Sequence, residues 1–274
     1  MSIRLEKIPE PQPITAASSQ VDLRAITKRY GNGQLVLDNI NLSIAESEFV
    51  SIIGPSGCGK STLLKLVAGL TRLSSGNIRV DGAEPVRARK IMSFMFQDAT
   101  LLPWRTVRGN VELSTELHGM KKTDRAAIAK EMLSLVGLSD AANQFPRQLS
   151  GGMKMRVSIA RALSTHPKVL LMDEPFAALD EMTRDRLNEE LLRLRAESHW
   201  TGLFVTHSVA EAVFLSDRII VLAAQPGRLA YDLPIHFAAP RNAELRLRDE
   251  FEEAVIDVSK KLRSVMDWSK EGAG

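Results

Sequence analysis

The stretch Gly54-Pro55-Ser56-Gly57-Cys58-Gly59-Lys60-Ser61-Thr62 limits the possible folds of this chain more than any other. It has the form G-x-x-x-x-G-K-[ST], follows the apolar run Phe49 to Ile53, and leads into a helical stripe, Leu63-Leu64-Lys65-Leu66-Val67, opened by Ser61-Thr62. A buried strand, a glycine-rich turn and a helix start together make a cradle whose backbone N–H groups close around phosphate oxygens. Lys60 would reach the terminal phosphates and Ser61 would offer its hydroxyl to Mg²⁺. Such a strand belongs to an α/β sheet with its ligands at the carboxyl ends of the strands.

Two further apolar runs end on reactive side chains. Val169 to Met172 delivers Asp173 and Glu174, and Leu203 to Val205 delivers Thr206 and His207. Short, continuously apolar runs of this kind are expected as buried strands of a mainly parallel sheet. Asp173 is suited to hold Mg²⁺, directly or through water, and Glu174 to polarise an attacking water. His207 converges on the same strand ends, where it would sense a γ-phosphate. His118, His166, His199 and His236 lack such a setting and read as surface or packing residues.

Around these runs the chain divides into expected segments. Residues 1 to 20, with Pro9, Pro11 and Pro13 and no period, read as a flexible tail. Val21 to Ile26 and Leu35 to Ile44 alternate apolar with polar, as half-exposed antiparallel strands do, about a turn at Tyr30-Gly31-Asn32-Gly33. From about 98 to 165 the pattern is helical, with Thr123 as a cap for a helix bearing Ile128, Met132 and Leu135 and closed by Gly137. Leu187, Leu191 and Leu194 line another helix. Phe251, Val255, Val258, Leu262 and Val265 form the apolar stripe of a C-terminal helix within a 236–274 extension, read as packing onto the domain in preference to binding a partner.

Composition removes several alternatives. A hydrophobic share of 44% and a charged share of 25% describe an ordinary globular protein, and a formal charge of +3 gives no ground for a nucleic-acid partner. The single cysteine, Cys58, forms no internal disulfide, and the absence of a basic-then-apolar leader joins it in indicating a cytosolic setting. No run approaches the ~20 apolar residues of a membrane span, so any membrane link would run through a partner. Beside Lys60 and a helix start, Cys58 is either a thiol of lowered pKa, open to reagents and protected by the ligand of the phosphate loop, or a small buried residue.

Leu149-Ser150-Gly151-Gly152-Met153 then presents a second phosphate-binding shape, a serine and two glycines at a helix start, without any lysine. The joint order of the phosphate loop, Gln97, LSGGM, the strand ending in Asp173-Glu174, Ala178-Leu179-Asp180 and His207 resembles the ATP-binding cassette (ABC) transporter ATPase subunits over about residues 21–235. The resemblance implies a P-loop NTPase cassette: α/β, with a mainly parallel core sheet, an antiparallel β subdomain and a helical subdomain at about 98–165. It also implies that Tyr30 stacks on adenine, that Gln97 touches Mg²⁺ and the attacking water and senses the membrane partner, that Glu174 is the general base, and that Asp180 communicates across a dimer. LSGGM resembles the family's LSGGQ signature, which binds ATP held by another copy. Two subunits would then pack head to tail, each nucleotide lying between one chain's Gly54–Thr62 loop and the other's Ser150, Gly151 and Gly152. The opposite Lys60 supplies the missing lysine.

Met153 in place of Gln, and Gln97-Asp98-Ala99-Thr100-Leu101-Leu102-Pro103-Trp104-Arg105, resemble the nitrate, sulfonate and taurine import group. That likeness implies permease subunits, an extracytoplasmic solute-binding protein acting indirectly, and a peripheral place on the cytoplasmic side of the cell membrane. Trp104 reads equally as part of the permease groove or as ordinary core. A soluble ABC ATPase in a non-transport complex, such as iron-sulfur cluster assembly, is the competing class.

Overall fold

The computed structural model describes residues 19–31 and 33–271. The tail expected over residues 1–20 lies outside them up to residue 18, while Ser19 and Gln20 already belong to the first strand, β1 (Ser19–Arg29). β1 pairs antiparallel with β2 (Leu35–Ala45) and with β4 (Ser75–Val80), giving a sheet of order β2-β1-β4. The alternation read over Val21 to Ile26 breaks at a register shift between Leu23 and Ile26, where Ala25 takes φ 50°. Gly76 lies opposite this bulge, and a Cβ on it would sit 2.4 Å from the carbonyl oxygen of Ala25. A strand pattern therefore continues past the point where its period fails.

The second sheet has the order β5-β6-β7-β3-β8-β9, built from β3 (Phe49–Ile53), β5 (Met92–Met95), β6 (Val169–Asp173), β7 (Thr201–Val205), β8 (Arg218–Leu222) and β9 (Leu229–Pro234). All pairs are parallel except β8 with β9. The apolar runs are continuous because both faces are covered: Val50 and Ile52 pack toward the antiparallel sheet, whereas Phe49 and Ile53 pack toward the helices. Ser51 is the polar exception in β3, and its hydroxyl is bonded to that of Ser216. β4, β8 and β9 were not expected. β4 shows only Ile78 and Val80 buried, too short an alternation to recognise.

Among the described residues there are eight α-helices. α1 (Lys60–Val67) lies between the two sheets, with Leu63, Leu64, Leu66 and Val67 buried. A short α2 (Pro85–Ala88) precedes β5. α3 (Val107–Leu117), α4 (Lys122–Leu135) and α5 (Gly151–Leu163) pack on one another and fill the stretch read as helical. Thr123 is inside α4 and does not cap it; the cap position is Lys121, with no side-chain bond, while Gly137 at φ 65° follows the helix end as expected. α6 (Glu181–Ser198) buries Leu187, Leu191 and Leu194, and α7 (Val209–Leu215) lies against β3. α8 (Asp249–Glu271) carries the C-terminal stripe, with Phe251, Val258 and Val265 at 5% exposure or less, packed onto the rest of the chain.

Candidate functional site

The glycine-rich loop is shaped by left-handed backbone. Gly54, Gly57 and Gly59 have φ of 159°, 76° and 99°, which side chains bearing a Cβ seldom adopt. Gly59 occupies the cap position of α1 without a side-chain bond, so the first N–H groups of the helix remain open to an anion. Lys60 is 8% exposed and donates to the carbonyls of Gly54 at 2.9 Å and Pro55 at 3.1 Å, a conformation that folds the ammonium over the loop. A cavity of about 480 Å³ opens over Gly54, Ser56, Gly57, Gly59, Lys60, Ser61 and Thr62, with Val36, Glu174 and His207 on its wall.

Two strand ends deliver the remaining chemistry. The Ser61 hydroxyl donates to Asp173 Oδ1 at 2.8 Å. Burial raises the Asp173 pKa, opposed by the Ser61 bond and by the Lys65 and Lys60 charges. The pairing of Asp173 with Val205 carries on into a bond from Glu174 N to Val205 O at 2.9 Å, which sets Glu174 level with the end of β7. Glu174 has φ 48°, uncommon outside glycine, and its Oε2 is 3.5 Å from His207 Nδ1.

A hydroxyl and a carboxylate oxygen are hard donors suited to Mg²⁺. Among the described residues no three His, Cys, Asp or Glu side chains gather into a metal cage. Ser61 and Asp173 are the residues that would hold such a cation beside nucleotide phosphates and water.

The other expected residues lie elsewhere. Gln97 is exposed two residues beyond Met95, which pairs with Met172, so it stands near the carboxyl end of β6 but outside the cavity wall. Tyr30 is 44% exposed, with the Lys28 ammonium 4.6 Å from its ring centroid, and is likewise absent from the wall. Ser150 caps α5 by accepting from Met153 N at 3.2 Å. With Gly151, Gly152 and Asp180 it lines a separate cavity of about 770 Å³. Asp180 caps α6 through Thr183 N at 2.9 Å, a bond that lowers its pKa. Gly152 permits the close approach of α5 to α6, since a Cβ there would lie 2.8 Å from Thr183 Cγ2. The two cavities share no lining residue.

Two readings change. Cys58 is fully buried and burial raises its thiol pKa above the ordinary value, despite Lys60 nearby, so the reading as a lowered, reagent-open thiol is wrong. Its backbone alone takes part in the loop. Trp104, 72% exposed, is not core.

Sequence reasoning missed several supporting groups. Gly227, in the β8–β9 turn, donates from N to Val36 O at 2.8 Å and accepts from Asp38 N at 2.9 Å; a Cβ on it would lie 2.1 Å from Cys58 O. Asn110, fully buried, accepts from Leu102 N at 2.7 Å and donates to the carbonyls of Leu102, Arg105 and Thr106, fixing the turn that exposes Trp104. Arg161 of α5 donates to Ala99 O, Thr100 O and Thr100 Oγ1 at 2.8–3.0 Å, tying that helix to the loop after Gln97. Asn110 and Arg161 carry no local signal, because each acts on backbone far away or around a turn.

Comparisons with known proteins bear on the family of this chain. A family model described as ABC transporter matches residues 37–177. The chain is 44% identical over 229 residues to an aliphatic sulfonates import ATP-binding protein of Xanthomonas axonopodis pv. citri, covering 83% of this chain and 90% of that one. It is 47% identical over 218 residues to a nitrate import ATP-binding protein of Synechococcus elongatus, covering 77% of this chain and 33% of that protein. Among solved structures, a dimeric post-hydrolysis state of an ATP-binding cassette bound to ADP and Pi matches with a TM-score of 0.70 at 35% identity, over 80% of this chain and 100% of that one.

Proposed function

This chain belongs to the ABC transporter family of ATP-hydrolysing cassettes, and from that premise we propose that it powers import of a small solute, of the nitrate or sulfonate type, through a membrane permease. Among its described residues no helix is long and apolar enough to cross a membrane, in keeping with attachment through permease subunits at the cytoplasmic face. The exposed Trp104, held out by Asn110, is the proposed contact with them. A solute-binding protein would deliver the solute on the other side.

The observation that carries the reading is the separation of the two half-sites. The Gly54–Thr62 loop and Ser150-Gly151-Gly152 line different cavities, and each lacks what the other offers. A head-to-tail homodimer joins them, with ATP between one chain's loop and the other's Ser150. In that arrangement the loop N–H groups and Lys60 bind the phosphates. Glu174 takes the proton of the attacking water at its carboxylate, His207 holds the γ-phosphate, Gln97 orients the water, and Tyr30 stacks on the base. Mg²⁺, when bound by Ser61, Asp173 and the phosphates, neutralises charge on the transferring group. Positioning and charge supply most of the catalysis.

The test uses Glu174→Gln. This variant is expected to bind ATP, to lose turnover by roughly 10²- to 10⁴-fold, and to elute as a dimer only with ATP. A variant that remains monomeric with ATP overturns the composite site. Purification of the wild-type chain from detergent-solubilised membranes is expected to bring down a multispanning partner, whereas a wholly water-soluble complex favours the non-transport class.

A further inference from the structure

Ser208-x-x-Glu211 has the spacing of a capping box, in which the glutamate reaches back to the backbone N–H of the serine. Only half of that box forms. Ser208 Oγ accepts from Glu211 N at 3.3 Å, but the Glu211 carboxylate turns inward, is 5% exposed, and accepts from Thr206 Oγ1 at 2.5 Å. The Ser208 N–H goes instead to Thr206 Oγ1 at 3.0 Å. The Thr206 hydroxyl therefore spans His207, donating to Glu211 and accepting from Ser208 on its far side. The backbone bearing the histidine is fixed by a buried carboxylate four residues away.

An ordinary packing residue would not be built this way. Burial raises the pKa of Glu211, with Thr206, Arg184, Asn188 and His207 pulling it back. Its Oε2 is the oxygen that the Thr206 hydroxyl meets.

We propose that Glu211 is a positioning residue: through Thr206 it sets His207 for the γ-phosphate. The proposal rests on the assignment of His207 to the γ-phosphate made above.

The test measures the full chain with ATP and Mg²⁺. Glu211→Gln keeps the shape and removes the charge, and is expected to lower kcat by roughly ten- to a hundredfold while KM stays within about twofold. In a His207→Ala background the same change is expected to cost nothing further. Nuclear magnetic resonance of the nucleotide-free chain, with its five histidines labelled, gives a readout free of activity: Glu211→Gln should move the His207 ring signals and leave the other four in place. Equal losses in both backgrounds, a changed KM with unchanged kcat, or unmoved His207 signals overturn the proposal. Thr206→Val, measured in the same way, serves if Glu211→Gln does not fold. A wild-type chain without ATPase activity would strike at the proposed function, while the resonance experiment still decides the role of Glu211.

Discussion

The Ser61 hydroxyl and the Asp173 carboxylate are joined at 2.8 Å, so the first turn of α1 and the end of β6 meet at one hydrogen bond. Burial pushes the Asp173 pKa up, which means the folded chain binds that proton more tightly than the unfolded chain does. The ionised carboxylate therefore costs stability at neutral pH, a cost relieved as pH falls through the raised pKa. Asp173→Asn keeps an acceptor for Ser61 and removes the charge. Nucleotide-free Asp173→Asn is expected to melt roughly 2–4 °C above wild type at neutral pH, the shift about 1 kcal/mol gives in a chain of this size. The gain should shrink as pH is lowered, and Mg²⁺-dependent ATPase activity should be lost. Thermal melts across pH check the first point, since a gain that grows toward acid would contradict it.

Ser150 has two tasks, capping α5 and offering its hydroxyl at the proposed dimer contact. Ser150→Ala removes the bond to Met153 N and is expected to lower stability by about 1 kcal/mol. Turnover should fall well beyond what that loss explains, while nucleotide binding to the monomer is largely spared. Titration with a fluorescent ATP analogue alongside steady-state rates separates the two effects. Equal losses of binding and turnover would place Ser150 at the chain's own nucleotide.

Gly227 supports the phosphate loop from behind, and the space there is smaller than a methyl group. Gly227→Ala must displace either the β8–β9 turn or the Cys58 carbonyl. The expected outcome is ATP affinity lower by roughly tenfold or more, about 1.4 kcal/mol, in a chain that still folds. Calorimetric titration measures it, and unchanged affinity would show that the turn yields instead of the loop.

Asn110 makes four hydrogen bonds to the backbone of the Leu102–Thr106 turn. Asn110→Ala leaves those groups to compete for water in a buried place and is expected to cost about 2–4 kcal/mol. Below its melting temperature the variant should keep its basal ATPase rate, because the phosphate loop and Glu174 are untouched. Co-purification with the permease should fall, since Trp104 loses its fixed presentation. A variant that binds permease normally would remove Trp104 from that contact.

What the sequence determined by itself was chemistry carried by neighbouring residues. The glycines and Lys60 specify a phosphate loop because the required backbone angles and the cation lie within nine residues. Asp173, Glu174 and His207 were legible because each ends a run whose two faces must both be buried. The helical stripes of α6 and α8 were legible for the related reason that one apolar face recurs every three or four residues.

Tertiary structure decided what depends on distant segments meeting. Gly227 touches the phosphate loop only because β8 pairs with β3, and Cys58 is buried in the same cluster as Leu37, with the β8–β9 turn against its carbonyl. The capping-box spacing at Ser208 gave one partner for Glu211, and the fold chose Thr206, where the carboxylate is buried. Spacing along the chain fixes which bonds are possible, and burial decides which of them form.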